Sequence, residues 1–148
     1  MQNERDSQPG ERKPEALLPL TPGVLHILLA LAGGERHGYA IMQEVTRLSD
    51  GAVRLGPGTL YRTLKSLLDS GLIAESGERP DPEHDDDRRR YYRLTTFGRR
   101  VAQAETARLA RLVTRAQALP GWEALRRLTA DAPSLSAIPN LPLLKGAH

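Results

Sequence analysis

Cysteine is absent from the 148 residues of this chain, which excludes disulfides and thiolate metal centres from any account of its stability or chemistry. Long apolar runs are missing too. The longest, Val24 to Ala32, is interrupted by His26 and is far shorter than the roughly 20 residues a spanning helix needs, so no membrane segment is expected. Met1 to Arg12 is polar throughout, so no leader peptide is expected and the cytoplasm is the expected compartment. The chain also lacks the usual marks of catalysis. It has no His-Glu-x-x-His, no phosphate-cradling glycine loop, and only four histidines, none spaced with a plausible nucleophile and acid. No catalytic residue, metal or cofactor is expected, and an enzyme is the least supported class.

What remains is a chain of one-domain size with a formal charge of +3, from 21 Lys+Arg against 18 Asp+Glu. So small an excess says little until the charges are placed. The densest cluster is Arg88, Arg89, Arg90, Arg93, Arg99 and Arg100.

The informative stretch runs from Gly56 to Gly71. Leu60, Leu64, Leu67 and Leu68 recur at helical spacing and predict one buried face, while Thr59, Tyr61, Arg62, Lys65 and Ser66 fall on the other. Pro57 suits the first helical position, Gly71 suits the left-handed residue past the end, and Leu72 is expected to fold back on Leu67. Gly58 leaves the helix start open to the backbone of a polyanion. These are the requirements of a DNA-recognition helix.

Residues 1–20 are polar and broken by Pro9, Pro14 and Pro19, and predict a mobile arm. Thr21-Pro22 starts a first helix that is apolar nearly all round and ends at Gly33-Gly34. A second helix spans about His37 to Ser49, with Ile41, Val45 and Leu48 buried and Gln43, Glu44 and Arg47 outside. Val53 and Leu55 alternate as in a very short strand. Three short helices joined by glycine-containing turns predict a helix-turn-helix domain. Leu72 to Arg79 and Arg89 to Thr95 then read as the two strands of a wing. Between them, Pro80 to Asp87 is expected to be an irregular acidic loop. The acids around His84 have the chemistry to hold a hard divalent ion, but a solvated loop paired with nearby arginines is the expected state.

Thr95 caps a long helix from Thr96 to about Leu119, stopped by Pro120-Gly121. Ala102, Leu109, Leu112, Val113 and Ala116 form a stripe along it, for which the same helix of a second copy is the simplest cover and the chain's own three-helix core the alternative. Trp122, Leu125 and Leu128 predict a further short helix. Pro133, Pro139 and Pro142 argue against regular structure after residue 131.

With these pieces in order, residues 20–119 resemble the PadR family of transcriptional regulators, in its shorter form with one long C-terminal helix. The resemblance rests on His37-Gly38-Tyr39-Ala40-Ile41, Gly58-Thr59-Leu60-Tyr61, Gly71-Leu72-Ile73 and Arg90-Tyr91-Tyr92-Arg93-Leu94-Thr95. It implies a mainly α protein with a small β-hairpin, a winged helix-turn-helix domain over 21–95, and a C-terminal dimerisation helix with a short extension over 96–130. A flexible tail would follow over 131–148. It further implies a homodimer on double-stranded DNA, acting as a repressor and released by a small-molecule effector or other signal.

Two features depart from the family's pattern. Arg62 stands where many relatives carry proline, and the wing loop is longer and more acidic than in the shorter forms. Ala102 to Leu119 also holds no aromatic side chain of the kind that relatives use to bind flat drugs, so that ligand site is not carried over. The expected DNA contacts are Gly58, Thr59, Tyr61, Arg62 and Lys65 on the helix, with Arg88, Arg89, Arg90 and Arg93 of the wing on phosphates. The competing class is a winged-helix module that binds another protein and not DNA.

Overall fold

Thr21 begins the first helix as the spacing predicts: its side chain accepts from the Val24 N–H at 3.3 Å, and α1 runs Pro22–Ala32. Ile27, Leu28, Ala30 and Leu31 of α1 are buried. The structure, a computed structural model, describes residues 12–81 and 84–130, with the backbone alone at 80, 81 and 84–88. The expected arm over residues 1–11 and the tail from residue 131 therefore lie outside the described residues.

A two-residue strand, β1 (Arg36–His37), follows and leads straight into α2 (Gly38–Leu48). This strand is not predicted from the sequence, since two residues carry no periodicity. Its partner makes it. Arg36 and His37 pair antiparallel with Tyr92 and Tyr91, so the sheet has three strands in the order β1-β3-β2. Next comes α3 (Pro57–Asp69), joined to α2 by a turn in which Asp50 and Gly51 adopt positive φ of 49° and 80°. The strand expected around Val53 and Leu55 does not form. Val53 instead gives its N–H to the Ser49 hydroxyl at 2.9 Å, and both side chains pack half-buried on the core.

The end of α3 matches the expected stop. Gly71 sits at φ 73°, its N–H bonds Leu68, and the Leu72 N–H reaches the Leu67 carbonyl at 3.0 Å.

The wing strands are β2 (Ile73–Asp81) and β3 (His84–Leu94), longer than predicted. Pairing continues into the expected irregular loop, with Pro80 opposite Arg88 and Asp81 opposite His84. Pro80 does not forbid this because β2 is an edge strand, where a residue without an N–H is tolerated, and the register slips at Pro80/Asp81. The acidic side chains of this tip, and the metal chemistry considered for His84, lie outside the described residues.

Helix α4 (Thr96–Gln117) is capped by Thr95, whose hydroxyl accepts from the Gly98 N–H at 2.9 Å, and α5 (Glu123–Ala130) follows it. The first turns of α4 are part of the core, not a separate arm. Val101 and Ala102 are buried with Leu72, Ile73, Tyr92 and the helices before them. Residues 12–20, expected as part of a mobile arm, instead lie along this region. Pro14–Leu17 form a turn of 3₁₀ helix, and Leu17, Leu18 and Leu20 pack on the core.

Two carboxylates are drawn inside. Glu44, expected on the outer face of α2, is 8% exposed and bonds Arg47 Nε at 3.1 Å, with Arg36 at 3.9 Å. Glu105 is 1% exposed, accepts from the Leu20 N–H at 2.5 Å, and is paired with Arg108. The Arg108 bond holds the Glu105 carboxyl below its ordinary range, and the Leu20 N–H helps while burial opposes. A depressed folded-state value means stability that is present above the ordinary carboxylate range and lost as pH falls below it. Glu105→Gln should therefore be less stable than wild type at neutral pH, and the difference should shrink toward acid pH. Thermal melts from pH 7 down to pH 3 measure it, and a gap that does not narrow rules the linkage out.

Candidate nucleic-acid interface

The outer face of α3 is built by its inner one. Burial of Leu60, Leu64 and Leu67 fixes the helix rotation, which leaves Thr59, Tyr61, Arg62, Lys65 and Ser66 exposed together. Lys65 makes an exposed i,i+4 pair with Asp69 at 3.2 Å, too weak to withhold it from another anion. Gly58 is exposed, and a Cβ there would meet nothing within 4 Å. Among the described residues, no contact requires glycine at that position.

Beside α3, the start of α2 and strand β3 enclose a cleft of about 440 Å³ lined by His37, Gly38, Tyr39, Tyr61, Arg89, Arg90 and Tyr92. His37 is the N-cap of α2, its Nδ1 accepting from the Ala40 N–H at 3.1 Å, and its ring meets Tyr91 edge-on at 5.5 Å. Arg89 Nη1 lies 2.7 Å from His37 Nε2. Tyr61 crosses to α2 so closely that a Cβ on Gly38 would come 2.7 Å from its hydroxyl. Burial, then the charge of Glu75, holds the Tyr92 hydroxyl above the usual phenol range.

The sequence-predicted arginines separate in the structure. Arg89 and Arg90 line the cleft, Arg93 is exposed further along β3 and outside that lining, and the side chain of Arg88 is not among those described. Arg90 leans toward Glu75 and Glu78 at 3.7 and 3.5 Å, both exposed pairs. Tyr39, which the sequence reading passes over as part of a motif, is 55% exposed at the cleft's edge.

The stripe predicted for α4 divides as well. Ala102 is covered by the chain's own core and offers no surface to a partner. Leu109 and Ala116 are half-buried, whereas Leu112 and Val113 are 54% and 43% exposed. Leu119 and Trp122, in the link between the two helices, and Leu128 on α5 are exposed as well. Among the described residues, no helix is long and apolar enough to cross a membrane.

Comparison with known proteins places these features. Residues 24–104 match the Transcriptional regulator PadR-like family. The chain is 40% identical over 75 residues to the transcriptional regulator Rv3488 of Mycobacterium tuberculosis, covering 51% of this chain and 64% of that one. It is 37% identical over 86 residues to an uncharacterized 37.1 kDa protein in transposon TN4556 of Streptomyces fradiae, covering 58% of this chain and 22% of that one. The chain thus spans less than two thirds of either relative's length. Among solved structures, RosR of H. salinarum is similar at a TM-score of 0.50 and 25% identity, over 78% of this chain and 94% of that one. The transcriptional regulator PA4135 shares the fold at a TM-score of 0.53 and 17% identity, over 79% of this chain and 77% of that one. A helix with a polar outer face, the antiparallel wing beside it, and a family match covering both lead to one assignment: the chain belongs to the PadR-like family of transcriptional regulators.

Proposed function

We propose that this regulator binds double-stranded DNA as a homodimer, placing α3 of each copy in the major groove and the wing arginines on the flanking backbone. The observation that carries this reading is the outer face of α3, where Thr59, Tyr61, Arg62 and Lys65 are exposed together and begin at an unobstructed Gly58. Dimerisation rests on Leu109, Leu112, Val113 and Ala116, of which Leu112 and Val113 are the most open. Two copies related by a twofold axis would read half-sites about one helical turn apart, so the operator is roughly palindromic. Repression, and its relief by a small molecule or other signal, follow from the family resemblance alone.

The side chains of α3 divide the work by their chemistry. Arg62 has the planar fork that pairs with both acceptors of a guanine, a contact that discriminates by about 1 to 3 kcal/mol. Lys65 and the Tyr61 hydroxyl suit phosphate oxygens. Arg62→Ala should therefore relax base choice at one position in each half-site, whereas Lys65→Ala should weaken binding evenly across sequences. A binding selection on randomised duplexes with the two variants side by side checks this. If both keep wild-type affinity and base preference, α3 does not face DNA, and a protein-binding winged helix becomes the better account.

A further inference from the structure

The cleft between α2, α3 and β3 is walled by groups that donate to anions. Tyr39, Tyr61 and Tyr92 bring hydroxyls, Arg89 and Arg90 bring guanidinium groups, and the positive end of α2 lies at Gly38. Among the described residues, Glu75 and Glu78 hold Arg90 through exposed pairs, which a polyanion displaces at little cost. The cleft also adjoins the exposed face of α3, because Tyr61 belongs to both.

Resting on the DNA-binding reading above, we propose that this cleft seats a phosphodiester of the DNA backbone beside the groove that α3 enters. Tyr39 is then a phosphate-binding residue, and Gly38 is the positioning residue that lets the Tyr61 hydroxyl lie over the start of α2. The contact of Tyr61 with Gly38 is the specific support for the second assignment. A methyl at residue 38 would come 2.7 Å from the Tyr61 hydroxyl and 3.0 Å from its ring carbon Cζ. The obstacle is the far end of a side chain that is 52% exposed, so the tyrosine swings away and the fold is spared. Alanine is also the better helix former at that position.

The test uses the full chain, a labelled random-sequence duplex of about 30 base pairs, long enough for two half-sites a turn apart, and anisotropy titrations at several salt concentrations. Tyr39→Phe and Gly38→Ala should each weaken binding by roughly ten- to hundredfold, the scale of one hydrogen bond to a charged oxygen. Both should keep the wild-type melting temperature, and Tyr39→Phe should keep the salt slope because no cation is removed. If both bind as wild type does while Lys65→Ala is weaker, the cleft is not a phosphate seat and the DNA reading stands. If Lys65→Ala and Arg62→Ala are also unaffected, the DNA reading fails with it. Inorganic phosphate added at constant ionic strength separates the remaining case. Binding of phosphate that Tyr39→Phe abolishes, with DNA affinity untouched, makes the cleft a free-anion site and overturns the proposal.

Discussion

Gly98→Ala should destabilise the fold more than any other single methyl addition considered among these residues. Gly98 lies in the first turn of α4, where the helix crosses the chain leaving α3, and a Cβ there would sit 1.9 Å from the Leu72 carbonyl oxygen and 2.8 Å from its carbon. Both are backbone atoms, and the segment is pinned: the Thr95 N–H bonds Leu72 at 3.1 Å and the Thr95 hydroxyl bonds the Gly71 carbonyl at 2.7 Å. Nothing flexible can give way. Overpacking a well-filled core costs about 1 to 3 kcal/mol, and a backbone obstacle places this substitution at or above the upper end. The melting temperature should fall by roughly 10 °C or more. A melt within a few degrees of wild type would mean that α4 can slide along the sheet, and that its first turn is not fixed as described.

Replacing Leu112 and Val113 together with aspartate should turn a dimer into a monomer and lower affinity for a two-half-site duplex by at least about 100-fold, the scale of lost bivalency. Both side chains are exposed on the single chain, so charges there leave its own core intact. Sedimentation reports the first change and anisotropy the second. A double variant that sediments as a dimer would move the interface off this stretch of α4. The more obvious experiment, deleting everything after Leu94, does not isolate dimerisation. It would strip Val101, Ala102 and Glu105 from the core along with the exposed face.

The same division of α4 marks where sequence reading reaches and where it stops. The leucines of α3 announce their helix because one face is buried and the other solvated, and Gly71 announces its end because only a left-handed residue fits there. Glu105 is different. It falls between Ala102 and Leu109 but is not counted in the predicted stripe, because an acid is acceptable there only with Leu20 and Arg108 coming to meet it. Glu44 was misplaced for a related reason: helical spacing marks apolar positions, whereas Arg36, which approaches it from β1, is brought there by pairing with a strand far along the chain. Tyr61, Arg89 and Arg90 are each expected at DNA, but the cleft they share could not be read. Tyr39, Tyr61 and Arg90 come from three elements, and no spacing in the sequence relates them.

Because α4 is seated in the core at Val101 and Glu105 yet continues unbroken to Gln117, it joins head to tail without a hinge. From Glu105 to Gln117 a helix rises about 18 Å, so a 10° pivot at the joint carries the far end about 3 Å. In a dimer clasped at Leu112 and Val113, the two reading heads would behave as the jaws of a rigid caliper. The span between them would then be set by the angle at which two rods cross, and a small change in that angle would be enough to open the gauge beyond what a duplex can fit.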